Sequence, residues 1–175
     1  MLDTLKNTSA FQHDKTTGKD EWLTPPEITT ALAPFDLDPC SPIKRPWATA
    51  QQHYTVEDNG LMSPWYGFVW CNPPYGNETR RWIKRLAEHN NGIGLIFART
   101  DTQIWQQDIF PLASSILFMA GRLTFYTVEG AKGKDTAGAP SALIGFGEIA
   151  DDRIKKYWQQ RGKKDCLLDM KGKRV

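Results

Sequence analysis

The chain has 175 residues, with 22 Lys and Arg against 20 Asp and Glu and a formal net charge of +2. This length favours one domain that buries about 70% of its unfolded surface and folds without covalent staples. The three cysteines, Cys40, Cys71 and Cys166, form no C-x-x-C pair, which argues against a disulfide framework or structural zinc and favours a reducing cytoplasm. No run approaches about 18 apolar residues, so we expect neither a membrane span nor a secretory signal.

The first predicted element is a helix that begins near Thr24. Residues 1–18 before it are polar and aperiodic, and they predict a flexible lead-in. Thr24 is expected to be the N-cap, Pro25 to take the first helical position, and Glu27 to close a capping box. The exposed N–H groups at such a helix start attract carboxylates.

Acidic residues follow two short predicted strands in the first third of the chain. Residues 35–40 predict a strand that ends at Pro39, with Asp38 at its carboxyl end, either binding a ligand or capping the next segment. A second strand near residues 54–56 leads to Asp58, which either binds a ligand or builds an Asp-Asn-Gly turn. One βαβ unit takes about 30 residues, so this segment is too short for two full units and predicts an abbreviated sheet.

The most specific stretch is residues 67–76, GFVWCNPPYG, where a strand stops at a rigid polar turn. Its first half is apolar throughout and predicts a strand buried on both faces, and Pro73 and Pro74 then remove two ladder donors. Ligands bind at the carboxyl ends of strands in open α/β sheets. There the Asn72 side-chain oxygen and the Pro73 carbonyl would offer two acceptors to one planar amino group. Tyr75 would offer a ring for stacking, worth about 1–3 kcal/mol for a nucleobase.

Basic residues follow this turn on a predicted helix that is capped by Asn77. Four cations of the helix are expected to face solvent, either as phosphate contacts or as an ordinary solvated face. They are Arg80, Arg81, Lys84 and Arg85. A buried strand over residues 93–98 follows and puts Arg99 at its carboxyl end, and Asp101 or Thr102 is expected to cap the next helix.

The last third of the chain predicts further strands, a loop and a basic end. Three strands, one of them antiparallel, are expected at residues 115–119, 123–128 and 142–146. Residues 129–140 are rich in glycine and lysine, and they predict a mobile loop that does not pack and could close over a substrate. A helix over residues 151–161 leads into the basic end, since residues 153–175 hold nine Lys and Arg against two Asp. Such a run suits either a phosphate-tracking arm or a solvated tail.

Six sequence blocks, in order, resemble the phage and prophage DNA N-6-adenine methyltransferase family, often called phage Dam. They are EWLTPPEI (21–28), FDLDPCSP (35–42), EDNGL (57–61), WCNPPYG (70–76), ARTDT (98–102) and AGRLTF (120–125). The resemblance covers roughly residues 19–148. It implies an α/β fold, an abbreviated Rossmann-like S-adenosylmethionine-dependent methyltransferase with a mostly parallel sheet and an antiparallel strand near the C-terminus. We divide the chain into the lead-in, a methyltransferase domain over 19–150, and a C-terminal helix and basic tail over 151–175.

The resemblance also implies an activity and a set of site residues. The activity is methyl transfer from S-adenosylmethionine to the exocyclic amine of adenine in double-stranded DNA, with the base flipped out of the duplex. We expect a monomer in the cytoplasm of a bacterial host cell, without metal or membrane. The catalytic residues would be Asn72, Pro73, Pro74 and Tyr75. The cofactor-binding residues would be Trp22, Thr24, Pro25, Asp38, Pro39 and Asp58. The DNA-binding residues would be Arg80, Arg81, Lys84, Arg99 and Arg122.

One block departs from the pattern of related methyltransferases. They carry an Asp-Pro-x-x-Gly-x-Gly turn, whereas residues 38–42 contain no glycine and none appears before Gly60. A close approach of this turn's backbone to the cofactor is therefore not expected. Three alternatives stay open on sequence: a cytosine-amine methyltransferase, a protein glutamine methyltransferase that uses the same tetrapeptide, and a catalytically silent DNA-binding relative.

Overall fold

The computed structural model describes residues 21–172, so the predicted lead-in over residues 1–18 lies outside the described range. The helical segments in this range are α1 Pro26–Leu32, α2 Thr79–His89, a π-helix Ile104–Ile109 and α3 Glu148–Gln160. The strands are β1 Leu37–Asp38, β2 Gln52–His53, β3 Val69–Cys71, β4 Gly92–Phe97, β5 Ser115–Phe118, β6 Ser141–Phe146 and β7 Cys166–Asp169.

All of these strands form one sheet in the order β2-β1-β3-β4-β6-β5-β7. The first four strands in that order pair in parallel with one another. β6 is inserted antiparallel between β4 and β5, and β7 pairs antiparallel with β5 at the edge. The predicted mixed α/β architecture is confirmed, and the short β2 is the one strand that lies between β1 and β3 in the sequence. The strand β7 was not predicted and gives the sheet a second antiparallel member.

Helices cover both faces of the sheet because its central strands are apolar on both sides. On one face, Ile93 and Leu95 of β4 belong to the core that includes residues of α1 and α3. On the other face, Ile96 of β4 and Val69 and Cys71 of β3 belong to the core that includes residues of α2 and the π-helix. β1 and β3 are thus fully buried, as is β4 up to Ile96, and loops emerge at the carboxyl edge of these parallel strands.

α1 begins at Pro26, so the predicted capping box was wrong. Pro25 precedes the helix instead of opening it, and no side chain caps the first turn. The main chain of Leu23 exchanges two hydrogen bonds with Tyr126, at 2.8 and 2.9 Å. This pairing holds the chain extended up to Thr24, and the hydroxyl of Thr24 is buried without a hydrogen-bond partner among the described residues.

The predicted caps of the next two helical segments were also wrong. α2 begins at Thr79, and neither Asn77 nor any other side chain caps its first turn. The π-helix likewise has no side-chain cap. The Thr102 hydroxyl donates a hydrogen bond to the Arg99 carbonyl, 2.8 Å away, and so closes the turn before this segment rather than its first turn. In the same way, the Thr79 hydroxyl stabilises the turn before α2 by donating a hydrogen bond to the Pro74 carbonyl.

Two predicted strands differ in the structure. The strand expected at residues 54–56 ends earlier, as β2, because the Asp58 carboxylate accepts hydrogen bonds from the main chain and hydroxyl of Thr55 and closes a turn there. The segment 123–128 is not a strand of the sheet. Its one ladder position is Tyr126, which forms isolated bridges to Leu23 and to Lys132.

Residues 129–140 form an irregular connection, as predicted, but the expectation that they do not pack was wrong. Ala137 and Ala139 are each only 7% exposed. The main chain of Ala137 donates a hydrogen bond to Leu123, 2.7 Å away, so the end of the loop is tied to its beginning.

The basic C-terminal segment is built into the fold over the residues that the structure describes. Lys155 contacts Asp151 and Asp169, and Lys171 contacts Asp151, which is only 1% exposed. β7 ends at the amino edge of the parallel strands, because Asp169 pairs with Ser115 at the beginning of β5. Lys155 and Lys171 are therefore structural, whereas Lys156, Lys163 and Lys164 of the same segment are exposed.

Candidate active site

A cleft of about 350 Å³ opens where β1, β2 and β3 end. Its volume lies in the range of about 300–1,000 Å³ that is usual for small-molecule sites. A smaller cavity of about 30 Å³ adjoins it. Of the predicted site residues, the cleft is lined by Trp22, Pro39, Asn72, Pro73, Pro74 and Tyr75. The smaller cavity adds Thr24 and Asp38, whereas Pro25 and Asp58 line neither.

Asn72 follows directly after β3 and presents an unused acceptor. Its Nδ2 donates a hydrogen bond to the main-chain carbonyl of Trp22, 3.4 Å away. Its Oδ1 is buried and has no partner among the described residues. A buried amide oxygen without a hydrogen bond costs about 1–3 kcal/mol, so this atom is available to a donor that residues 21–172 do not supply.

The turn after Asn72 is fixed by α2. The hydroxyl of Thr79 donates to the Pro74 carbonyl at 2.7 Å and accepts from the main-chain N–H of Gly76 at 2.9 Å. The carbonyl of Pro73 accepts no hydrogen bond within the described part of the chain. Two acceptors, Asn72 Oδ1 and the Pro73 carbonyl, are therefore adjacent in sequence, unpaired, and on a backbone that two prolines make stiff.

Tyr75 stacks on Phe97, which is the last residue of β4. The ring centroids are 4.1 Å apart and the ring planes differ by 18°. The Tyr75 hydroxyl is buried without a partner among the described residues, and burial raises the pKa of this phenol well above its ordinary value. One face of the Tyr75 ring is thus occupied by Phe97, while the residue is half-buried and lines the cleft.

Asp38 lies at the carboxyl end of β1 and is only 5% exposed. Its carboxylate accepts hydrogen bonds from the Thr49 hydroxyl and from the main-chain N–H of Cys40, the latter at 3.2 Å. Burial raises the pKa of Asp38 to about 6, and these two hydrogen bonds oppose the shift without cancelling it. Asp38 caps the next segment, which was one of the two roles predicted for it. It also lines the smaller cavity.

His53, at the end of β2, holds the segment that contacts Asp38. Its Nε2 accepts hydrogen bonds from the main-chain N–H groups of Thr49 and Ala50, at 3.1 and 3.3 Å. Burial, reinforced by the charge of Arg45, lowers the pKa of His53 to about 4. The imidazole is therefore neutral near pH 7, as an acceptor must be.

Gly60 lies in close backbone contact with the turn after β1. A Cβ at this position would lie 1.9 Å from the carbonyl oxygen of Pro39, so only glycine fits there without a backbone shift. The turn after β2 can therefore lie against the turn after β1 and complete the cleft. Asp58, two residues before, is exposed and directs its carboxylate to Thr55, as the alternative turn interpretation predicted.

A family model described as DNA N-6-adenine-methyltransferase (Dam) matches residues 12–166. The chain belongs to this family. The resemblance noted in the six sequence blocks is thereby confirmed, and membership implies DNA adenine methyltransferase activity in general, with DNA as the substrate. A search of curated proteins and a search of solved structures returned no match. Between residues 21 and 172, no helix has the length and apolarity that crossing a bilayer requires.

The helix α2 of this Dam protein uses two of its four cations internally. Arg80 donates to Asp108 at 2.7 Å and also contacts Gln103 and Gln107 of the neighbouring segment. Arg85 donates to the carbonyls of Leu61 and Ser63. The prediction that both face solvent as phosphate contacts does not fit these contacts. Arg81 and Lys84 are exposed, with Arg81 beside Glu78.

The other two predicted DNA contacts lie at the carboxyl edge of the sheet. Arg99 is exposed just after β4, with its guanidinium 5.8 Å from the centroid of the Phe97 ring. Arg122 is exposed in the connection after β5 and donates one hydrogen bond, 3.1 Å long, to the Ala137 carbonyl. Both therefore present charge on the side of the molecule where the cleft opens.

Several residues of the site were missed from the sequence of this Dam chain. Thr49 and His53 support Asp38 from an irregular segment that carries no motif, so no pattern could have indicated them. Phe97 could have been found, since it ends a buried strand directly before Arg99. Cys40 and Cys71 lie with their sulfur atoms 3.7 Å apart beside Asn72, a contact that requires the pairing of β1 with β3.

Proposed function

We propose that this protein transfers a methyl group from S-adenosylmethionine to the exocyclic amine of adenine in DNA, at the turn from Asn72 to Tyr75. The observation that carries the proposal is the Oδ1 of Asn72, which lies buried at the carboxyl end of β3, without a partner in the described part of the chain, in a residue that lines the cleft. Family membership supports the same reaction class. The parallel half of the sheet, with the cleft at its carboxyl edge, supports an abbreviated Rossmann-like methyltransferase fold.

The two acceptors would act on the amino group of the target base. Asn72 Oδ1 and the Pro73 carbonyl would each accept a hydrogen bond from one N–H of the amino group. These two hydrogen bonds would draw the nitrogen lone pair out of conjugation with the base and increase the nucleophilicity of the nitrogen. Acceptors fixed in advance also stabilise the positive charge that develops on the nitrogen, and they need no reorganisation during the reaction. Near neutral pH this requires no strong base, which agrees with an Asn rather than a carboxylate at the site.

Tyr75 would hold the adenine once the base has left the duplex. Flipping a base costs a few kcal/mol, and stacking on an aromatic ring offsets about 1–3 kcal/mol of it. Phe97 stacks on one face of the Tyr75 ring and fixes its plane, so the other face remains for the base. A phenol kept neutral by burial suits this packing role and not an acid–base role.

The residues of the smaller cavity and its rim fit the methionine part of the cofactor, which supplies an electrophilic methyl group when bound. The unpaired hydroxyl of Thr24 could contact the cofactor's polar end, and the Asp38 carboxylate could attract its ammonium group. Trp22 and Pro39 line the cleft beside them. Asp58 is a weaker candidate for the cofactor's adenine, because both contacts of its carboxylate are to Thr55. Pro25 contributes by setting the start of α1.

Exposed cations would bind the phosphates on either side of the flipped base. We propose Arg81, Lys84, Arg99 and Arg122 for this role, and we leave out Arg80 because its N–H groups contact Asp108 and two glutamines. We propose that the protein works as a monomer in the cytoplasm of a bacterial host. The free thiols of Cys40 and Cys71, close together and not joined, suit a reducing compartment.

Methyl transfer from labelled S-adenosylmethionine to unmethylated duplex DNA, followed by nucleoside analysis, tests the proposal. We expect label in N6-methyladenine with the wild type and none with Asn72→Ala. Asn77→Ala is the matched control, because Asn77 is exposed beside the turn and lines no cavity. Label in methylcytosine would change the target base. No transfer to DNA, with no binding of S-adenosylmethionine, would overturn the proposed function.

A further inference from the structure

The connection between β5 and β6, residues 121–140, is organised as a two-stranded ribbon. We call it the β5–β6 loop. Its two arms exchange main-chain hydrogen bonds in sequence: Thr127 donates to Ala131, Gly133 donates to Phe125, and Ala137 donates to Leu123, all at 2.7–2.8 Å. Such pairing gives a glycine-rich segment a defined path without placing it in the sheet.

This ribbon is anchored across the carboxyl edge, beside the cleft. β5 ends and β6 begins at that edge, because Phe118 pairs with Ala142 and Phe97 pairs with Ser141. One arm pairs with Leu23 through Tyr126, whose ring meets Trp47 edge-on at 5.4 Å. A Cβ on Gly133 would lie 3.5 Å from the Trp22 ring, so the second arm contacts the residue that lines the cleft.

The exposed positive charge of the ribbon lies on its second arm and at its base. Lys132 and Lys134 are exposed, and neither has a salt bridge within residues 21–172. Arg122 is exposed at the base. Arg80 and Lys171 form salt bridges within the fold, whereas Arg81, Lys84 and Arg99 are exposed like the two lysines of the loop. The loop therefore carries two exposed lysines without salt bridges among the described residues, next to Trp22, which lines the cleft.

We propose that the β5–β6 loop is a duplex-binding element that holds the DNA next to the flipped base, with Lys132 and Lys134 contacting phosphates. This inference rests on the proposed function, since it assigns the DNA to a particular surface of the same site. A two-stranded ribbon is narrow enough to enter the major groove. Each phosphate that a lysine neutralises releases counterions, so the contribution of the loop is measurable as salt dependence.

The loop is also connected to the proposed catalytic amide by main-chain contacts. Tyr126 pairs with Leu23, and the carbonyl of the adjoining Trp22 accepts the hydrogen bond from Asn72 Nδ2. DNA that binds the loop would thus press on the segment that orients Asn72. Binding of DNA to the loop and correct placement of the Asn72 amide would therefore be coupled.

The experiment measures binding of a fluorescent duplex to the full chain at several salt concentrations. The variants are Lys132→Ala, Lys134→Ala and the double variant, with Lys156→Ala, exposed on α3, as the control for loss of one charge. We expect each loop variant to lower the slope of log K against log salt by about 1 and the double variant to weaken binding by about tenfold. Lys132→Arg with Lys134→Arg should restore both quantities, and binding of S-adenosylmethionine should not change.

Three outcomes would overturn the inference, and they are distinguishable. If the wild type binds and methylates duplex DNA while the double variant matches it in affinity and salt slope, only the assignment of the loop fails. If the wild type neither binds nor methylates duplex DNA, the proposed function fails and the inference fails with it. A loss as large in Lys156→Ala as in the loop variants would also contradict the proposal, because the effect would then be one of net charge.

Discussion

The side-chain amide of Asn72 donates a hydrogen bond to the main-chain carbonyl of Trp22, fifty positions earlier in the chain. This contact decides which end of the amide points at the Trp22 carbonyl and which end stays unpaired among the described residues. Because a main-chain carbonyl can only accept, Nδ2 must turn towards Trp22 and Oδ1 must turn away from it. The catalytic amide that we propose is therefore oriented by the segment before α1.

Asn72→Asp should separate the acceptor from its orientation. The carboxylate retains acceptor oxygens, but it cannot donate to the Trp22 carbonyl and is repelled by it. We expect turnover below that of the wild type yet above that of Asn72→Ala, in which we expect a loss of about a hundredfold or more. Single-turnover methylation with saturating DNA measures the three rates. Equal rates for Asn72→Asp and the wild type would show that the Trp22 contact has no role.

Tyr75→Phe and Tyr75→Ala should behave differently. The Tyr75 hydroxyl is buried without a partner among the described residues, so its removal should leave the free energy of unfolding unchanged or raise it by about 1 kcal/mol. Tyr75→Ala removes the ring that stacks on Phe97 and should weaken capture of the base, raising KM for DNA about tenfold. Denaturant unfolding and steady-state kinetics test the pair. Inactivity of a stable Tyr75→Phe would assign a chemical role to the hydroxyl.

The stability of the protein should depend on pH through Asp38. Burial raises the pKa of this carboxyl from 3.8 to about 6, so the native state keeps the proton to a higher pH than the unfolded chain does. The free energy of unfolding should therefore fall as pH rises from about 4 to about 6, by up to about 3 kcal/mol. Asp38→Asn has no such group, and urea unfolding at both ends of this range should show a smaller fall. Identical pH profiles would contradict the assignment.

Binding of S-adenosylmethionine should show the opposite dependence on pH. The ammonium group of the ligand attracts the ionised form of Asp38, so affinity should rise as pH increases through about 6. In Asp38→Asn the affinity should be lower and nearly independent of pH over the same range. Calorimetric titration of the full chain with the cofactor alone gives both curves. Affinity that is as high in the variant as in the wild type would exclude contact with this carboxylate.

Gly60→Ala should disturb the cleft more than other glycine substitutions do. Its Cβ would lie 1.9 Å from the Pro39 carbonyl, so the turns after β1 and β2 would have to separate. We expect a lower free energy of unfolding, by about 2 kcal/mol or more, together with weaker cofactor binding. Gly121→Ala is the control, because it has open space but a φ of 80°, and it should cost only about 1 kcal/mol of backbone strain. Equal effects would show that the Pro39 contact can relax.

The sequence predicted the parts of this site that one short segment encodes. Asn72, Pro73 and Tyr75 lie where the apolar run of β3 meets two prolines, and both features are local. The support of Asp38 by Thr49 and His53 could not be predicted, because it depends on the parallel pairing of β1 with β2. The C-terminal strand β7 was missed for a related reason: its four residues have weak periodicity, and it pairs with β5, more than forty residues earlier.

Charge was the least predictable property. Arg80 and Arg81 are neighbours on α2 with the same sequence signal, yet Arg80 contacts Asp108 of the π-helix and Arg81 is exposed. The difference arises from where the next helix packs, which no pattern within α2 reports. The sequence of a helix therefore does not show whether its cations are exposed or form structural contacts; the tertiary fold decides this.

The position of β6 in the sheet determines when the sheet can be completed during synthesis. β4 and β5 are not neighbours, and each pairs with the strand Ser141–Phe146, which lies between them. A nascent chain therefore carries β4 with an open edge, and β5 without a partner, until most of the protein has left the ribosome. Open edges recruit other strands, so chains truncated before residue 141 should be clients of chaperones and prone to aggregate. The turn from Asn72 to Tyr75 is synthesised long before β6 completes the sheet that fixes the position of this turn.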